Sequence, residues 1–146
     1  MKICLVSSCG GHLTEVRTLR SVYEGLEHFY VLDDKVLLPQ DMQGKTHFVH
    51  HSERDWLTLL NLIAAWRILR RERPHLILST GAGVVVPFAI VAKLLRIRIV
   101  FVESFTRVTS PSLTGRIMYR LADRFFYQWK SLEHFFPSGV YGGPLV

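Results

Sequence analysis

Apolar runs and helical stripes alternate along this chain almost from end to end. Lys2-Ile3-Cys4-Leu5-Val6-Ser7 is a short, nearly unbroken apolar segment, the pattern of a strand covered on both faces. It breaks at Ser8-Cys9-Gly10-Gly11-His12. The apolar positions that follow, Leu13, Val16, Leu19, Val22 and Leu26, share one helical face and predict a helix from Leu13 to about Gly25. Phe29-Tyr30-Val31-Leu32 predicts a second strand ending at Asp33-Asp34. Residues 35–45, with Pro39 and Gly44, read as an irregular connection, and Thr46 to His50 as a short third strand.

The second half repeats the alternation. Ser52 offers an N-cap and Asp55 a first-turn acid for a helix reaching Glu72, with Pro74 beyond its end. His75 to Ser79 predicts a strand, Thr80-Gly81-Ala82-Gly83 a turn, and Val84 to Leu95 a helix that tolerates Pro87 only in its first turn. Arg98 to Glu103 predicts another strand. Ser110-Pro111 reads as an N-cap followed by a proline at the first position of a helix to about Leu121, and Arg124 to Trp129 as a final strand. Strands and helices in this order predict a single domain over residues 1–146. Its class is α/β, a Rossmann-like open, mostly parallel sheet with helices on both faces. Ligands of such sheets sit at the carboxyl ends of the strands, where strand order reverses. That rule singles out the loops at 7–12, 79–83 and 103–110.

Composition narrows the field. With 49% hydrophobic and 21% charged residues in 146, the chain can bury a core and is neither disordered nor collagen-like. Two cysteines, Cys4 and Cys9, are too few for a disulfide scaffold and suit a reducing compartment, Cys4 as packing and Cys9 as a structural loop residue. No secretory leader is expected at Met1-Lys2. A membrane span needs about 20 apolar residues, and the longest candidate, Gly81 to Leu95, is interrupted by Pro87 and Lys93. Charge is uneven. Residues 1–66 hold six bases and eight acids, net −2, whereas residues 67–146 hold twelve bases and four acids, net +8. A basic half suits a phosphorylated ligand or an anionic membrane, and no nucleic-acid motif accompanies it.

The chemistry concentrates in the glycine turns. Paired glycines at a helix N-terminus let backbone N–H groups approach an anion, so Ser8, Gly10 and Gly11 after the first strand and Gly81 and Gly83 after the fourth are candidate diphosphate ligands. The alternative for Gly10-Gly11 is a tight turn with His12 opening the helix. Neither loop spells Gly-x-Gly-x-x-Gly, so no nicotinamide or flavin cofactor is expected; Asp33 or Asp34 would be the ribose-binding acid if one were. His12 is a candidate base. Glu103 either faces the ligand crevice as an acid, base or hydroxyl ligand, or caps neighbouring backbone or pairs with Arg107. His47, His50 and His51 look like a metal cluster on paper, but an odd offset on a strand puts His47 and His50 on opposite sides, and no metal is expected. The helix from Asp55 to Glu72 is apolar around most of its circumference, carries Trp56 and Trp66, and finishes in Arg67, Arg70, Arg71 and Arg73. Such a surface suits contact with an anionic bilayer, although a partner protein could cover it, and simple burial would explain the apolar helix from Val84 to Leu95.

Four segments together resemble a known family: Ser7-Ser8-Cys9-Gly10-Gly11-His12-Leu13-Thr14-Glu15, Ser79-Thr80-Gly81-Ala82-Gly83, Phe101-Val102-Glu103-Ser104 and Val140-Tyr141-Gly142-Gly143-Pro144-Leu145. They are similar to the bacterial capsule and exopolysaccharide counterparts of the membrane-anchor subunit of the lipid-linked-oligosaccharide N-acetylglucosamine transferase. More distantly they resemble the N-terminal half of the peptidoglycan transferase that makes lipid II. The resemblance implies the N-terminal half of a split GT-B glycosyltransferase, inactive alone and peripheral on the cytoplasmic face of the membrane. Its implied partners are a small nucleotide-sugar-binding catalytic subunit and a polyprenyl-diphosphate-linked sugar acceptor. His12 would be the base, the glycines would hold the diphosphate, Glu103 would orient acceptor hydroxyls, and Arg107, Arg116 and Arg120 would touch phosphate or head groups or form a solvated helix face. Gly142-Gly143-Pro144 matches the crossing point into the second domain of single-chain relatives, and a chain ending there fits a two-protein enzyme. Eukaryotic anchors carry an N-terminal span that is not expected here, so attachment would rest on peripheral helices. A non-catalytic membrane scaffold for the partner, or a stand-alone nucleotide-binding enzyme, are the alternatives.

Overall fold

The computed structural model describes residues 1–33, 36–51 and 56–145. Seven parallel strands form one sheet: β1 (Lys2–Ser7), β2 (Glu27–Leu32), β3 (Thr46–Phe48), β4 (Leu76–Ser79), β5 (Arg98–Val102), β6 (Arg124–Tyr127) and β7 (Val140–Tyr141). Their order is β3-β2-β1-β4-β5-β6-β7, so the chain winds outward one way from β1, returns, and winds the other way from β4. The reversal falls between β1 and β4, whose registers pair Cys4 with Ile77 and Leu5 with Leu78.

Among the described residues five α-helices accompany the sheet: α1 (Gly11–Thr18), α2 (Arg20–Tyr23), α3 (Leu57–Glu72), α4 (Val85–Leu95) and α5 (Leu113–Leu121). Side chains alternate across each strand and sort the core in two. Cys4, Val6, Val31, Ile77, Ile99 and Phe101 pack with Leu69 of α3, Phe88 of α4 and Met118 of α5. Ile3, Leu5, Tyr30, Leu32 and Leu78 pack with Val16 and Tyr23 of α1 and α2. Burial of Cys4 pushes its thiol well above the ordinary range, which keeps it a packing residue.

Several boundaries differ from the sequence pattern; β2, for one, begins at Glu27, two residues before the expected Phe29. The helix expected from Leu13 to Gly25 is broken at Leu19, whose amide bonds to Val16 at 3.1 Å in a 3₁₀ step. Thr18 Oγ1 donates to the Glu15 carbonyl at 2.6 Å and competes for the acceptor that a continuing helix needs. The cap of α5 is Ser112 rather than Ser110, its Oγ accepting from the Gly115 amide at 2.7 Å. β3 and β6 stop two residues early, and β7 was not legible at all. Ser52 and Asp55 lie outside the described residues. Pro87 occupies the first turn of α4, where it displaces no helical hydrogen bond.

Candidate functional site

Because β1 and β4 are parallel neighbours, the turns that follow them open on the same edge of the sheet. They also touch: Thr80 Oγ1 donates to the His12 carbonyl oxygen at 2.9 Å. His12 stands in the first turn of α1 with its ring against Gly81, whose Cβ, if it had one, would lie 2.6 Å from both Cε1 and Nδ1. Nδ1 is buried and finds no hydrogen-bond partner among the described residues. Around His12 lies a cleft of about 760 Å³ walled by Ser8, Asp33, Gly83, Arg107, Ser112 and Ile117.

Three helices begin at this cleft, and their ends differ. α1 and α4 start with no side-chain cap among the described residues, whereas α5 is capped by Ser112. An uncapped helix start carries about half a positive charge, although at α4 the amides of Val85 and Val86 already donate to the carbonyls of Ala82 and Gly83 at 3.2 and 3.1 Å. Gly10 and Gly11 are exposed, with open space where side chains would stand, and Gly10 adopts φ +98°, a conformation natural to glycine. Gly83 is likewise exposed. With Arg107 in the wall, the arrangement favours an anion spanning the two turns. Gly81 is a correction to the expected ligand set. It is buried at φ +136°, and its amide donates to Ser79 Oγ at 3.3 Å, so it makes room for His12 instead of offering an N–H.

Glu103 is the second correction. It is 0% exposed, and its carboxylate accepts from the Ser104 amide at 3.0 Å, the Ser112 amide at 3.1 Å and Ser112 Oγ at 2.8 Å. It therefore caps the start of α5 and does not open on the crevice. Gly115 leaves the space in α5 into which this carboxylate fits, since any Cβ there would collide with it. Sequence reasoning missed the residues beside it. Glu15 of α1 is buried and takes hydrogen bonds from Ser104 Oγ at 2.8 Å, the Phe105 amide at 3.1 Å and Gln128 Nε2 at 3.1 Å. Gln128, a polar residue within the apolar run from Phe125 to Trp129, was the available signal.

The remaining candidates have local partners. Asp33 is buried; one oxygen accepts from the Cys9 amide at 3.2 Å and the other meets His51 Nδ1 at 2.8 Å, so it braces the glycine turn. Asp34 lies outside the described residues. His47 Nε2 meets Glu72 at 2.9 Å at the opposite end of the sheet, and the three histidines do not converge. Arg116 lies over the Phe135 ring at 5.5 Å, and Arg120 is exposed.

The helical face beside the cleft is apolar. Trp56 (68% exposed), Leu59, Ile63 and Trp66 recur at three- and four-residue spacing along the outer side of α3, and Arg70 stacks over Trp66 at 5.4 Å. Ile90 and Leu94 (70% exposed) continue the face on α4, and Leu113 and Ile117 on α5. Arg67, Arg70 and Arg71 are exposed at its edge. Most of α4 is nonetheless buried between sheet and helices, which accounts for its apolar circumference. Asn61, the polar residue in mid-α3, is buried and clamps His50 through the backbone amide at 3.1 Å and carbonyl at 2.7 Å. Among the described residues no helix is long and apolar enough to cross a membrane.

Known proteins share this fold. A crystal structure of Acinetobacter baumannii MurG superposes with a TM-score of 0.76 at 15% identity, over 96% of this chain and 43% of that one. UDP-N-acetylglucosamine 2-epimerase from Rickettsia bellii superposes with a TM-score of 0.79 at 12% identity, over 99% and 45%. The chain thus spans under half the length of these solved chains and has the Rossmann-like α/β architecture of a GT-B half-domain. In sequence, the human UDP-N-acetylglucosamine transferase subunit ALG14 is 28% identical over 181 residues, covering 100% of this chain and 83% of the human protein. The Kluyveromyces lactis subunit of the same name is 40% identical over 82 residues, covering 52% and 35%. The family profile described as oligosaccharide biosynthesis protein Alg14 like matches residues 51–145, so the chain belongs to the Alg14-like family of oligosaccharide biosynthesis proteins.

Proposed function

We propose that this chain is the acceptor-binding, membrane-recruiting subunit of a two-chain glycosyltransferase. The reaction is transfer of a sugar, of the N-acetylglucosamine type, from a nucleotide sugar to a polyprenyl-diphosphate-linked saccharide. The observation that carries this reading is the meeting of two uncapped helix starts, with their glycine turns, in a cleft that holds His12 and adjoins the exposed apolar face of α3, α4 and α5. Ser8, Gly10, Gly11 and Gly83 hold the diphosphate through backbone and hydroxyl groups, with Arg107 beside them. The apolar face, with Trp56, Trp66, Arg67, Arg70 and Arg71, rests on an anionic membrane as a peripheral contact on the cytoplasmic side, where each base near the surface adds about 1 kcal/mol.

In the reaction the acceptor hydroxyl oxygen forms a bond to the anomeric carbon while the bond from that carbon to the nucleotide's phosphate oxygen breaks. The nucleoside diphosphate leaves with the electron pair. His12 takes the hydroxyl proton through Nε2, since Nδ1 is buried against Gly81. No carboxylate pairs with the ring among the described residues, so the bound diphosphate offsets the charge that His12 acquires. A small second chain supplies the nucleotide-sugar site, and this chain is inactive without it. The capsule or exopolysaccharide setting rests on the motif resemblance alone. In the reconstituted pair, His12→Ala should lower turnover about 10²-fold or more, the range for a lost general base. A wild-type rate would remove His12 from the mechanism.

A further inference from the structure

Glu15 is a carboxylate 6% exposed, and no lysine or arginine pairs with it among the described residues. Burial of such a charge is sustained only where donors surround it. Here they come from two distant parts of the chain: Ser104 and Phe105 after β5, and Gln128 after β6. Gln128 uses both ends of its amide. Nε2 also donates to the Glu103 carbonyl at 3.0 Å, and Oε1 accepts from the Leu145 amide at 2.8 Å. One continuous set of hydrogen bonds, buried at Glu15 and Gln128 and part-buried at Leu145, therefore runs from α1 through Gln128 to residue 145. Glu15 lies three residues after His12 in the same helix, on the same side of it, so the two move as one rigid piece. At the far end, residues 140–142 and Pro144 are exposed, and Gly143 turns the backbone at φ +77°.

We infer that Glu15 is a positioning residue: through Gln128 it ties the helix carrying His12 to residues 143–145, so that the seating of that segment sets where His12 stands. The assignment rests on the reading of His12 given above. It gives a reason for a charge in the core that neither packing nor capping needs.

The test requires no activity, so its failure leaves the proposed reaction standing, and an inactive pair would leave this coupling standing. Leu145→Pro deletes a single donor at the periphery of the fold; Gln128→Met deletes the junction. Hydrogen exchange on the full chain should quicken at least about fivefold in the amides of residues 14–18 in Leu145→Pro, and the His12 Cε1 resonance should shift. Gln128→Met should do the same, and the double variant should match Gln128→Met alone, because both act on one path. Glu15→Gln paired with Gln128→Glu exchanges donor and acceptor and should restore part of the protection lost in Glu15→Gln. If Leu145→Pro quickens exchange in residues 141–145 while residues 14–18 and the His12 resonance stay as in the wild type, the tail is seated independently and the inference is overturned. Additive effects in the double variant would overturn it equally.

Discussion

Replacing Gly81 by alanine puts the structural claim about His12 under direct load. A methyl group there would lie 2.6 Å from two ring atoms of His12, against 3.4 Å for the start of ordinary contact, so the ring must retreat by about 0.8 Å. Overpacking of this kind costs about 1–3 kcal/mol. Holding a non-glycine residue at φ +136° adds about 1–2 kcal/mol. The sum, about 2–5 kcal/mol, is a large part of the 5–15 kcal/mol typical of a whole domain. With a urea slope of about 2 kcal/mol/M, it should move the unfolding midpoint down by roughly 1–2.5 M. Gly11→Ala is the internal control for stability, because open space surrounds that position and it begins a helix, so its midpoint should hardly move. In the reconstituted pair Gly81→Ala should also lose about 10²-fold in turnover from a displacement of this size. Unchanged stability together with an unchanged His12 ring resonance in Gly81→Ala would refute the packing described for the two turns.

Three further outcomes follow from other parts of the molecule. Glu103→Gln should destabilise the chain by about 2–4 kcal/mol in denaturant, since the charge is lost and one of the two acceptor oxygens becomes an NH2 group facing the donors of Ser104 or Ser112; a stable variant with lost turnover would instead make it a catalytic group. Glu72 is held below its ordinary value of 4.5, chiefly by the hydrogen bond from Lys2 at 2.6 Å, with burial opposing and His47 adding to the depression. Its contribution is therefore complete above about pH 4.5 and lost as pH falls through the lower folded value, so the gap in melting temperature between wild type and Glu72→Gln should be wide at pH 7 and close toward pH 3. Replacing Leu59, Ile63 and Trp66 by serine should release the chain from vesicles containing anionic lipid without lowering its melting temperature, because all three are exposed; undiminished vesicle binding would move the membrane contact elsewhere.

Much of the architecture was legible in the sequence because parallel strands advertise themselves. Cys4 to Val6 and Ile77 to Ser79 are buried on both faces, as are Ile99, Phe101 and Val102 around a half-buried Val100, and the apolar runs follow directly. The strand–helix alternation then put the turns at 8–11 and 80–83 on one edge, where they are found. Polar residues with tertiary partners were not legible. Glu103 ends an apolar strand in either role, and nothing in its neighbours says that Ser112 and Gly115 will fold over it. Glu15 and Gln128 stand 113 residues apart, so their pairing has no local signature. The break at Leu19 and the two-residue strand β7 escaped for a similar reason: each is fixed by a few specific hydrogen bonds and not by a periodic pattern. The apolar stripe of α3 was visible, but its continuation over α4 and α5 depends on how the three helices pack.

The most direct measurement is sugar transfer from UDP-N-acetylglucosamine to a polyprenyl-diphosphate-linked sugar, with the purified chain alone and with a separately purified nucleotide-sugar-binding subunit added. This chain by itself should yield no product, and the mixture should show steady turnover that depends on His12. Product formed by this chain unaided would contradict the two-chain reading.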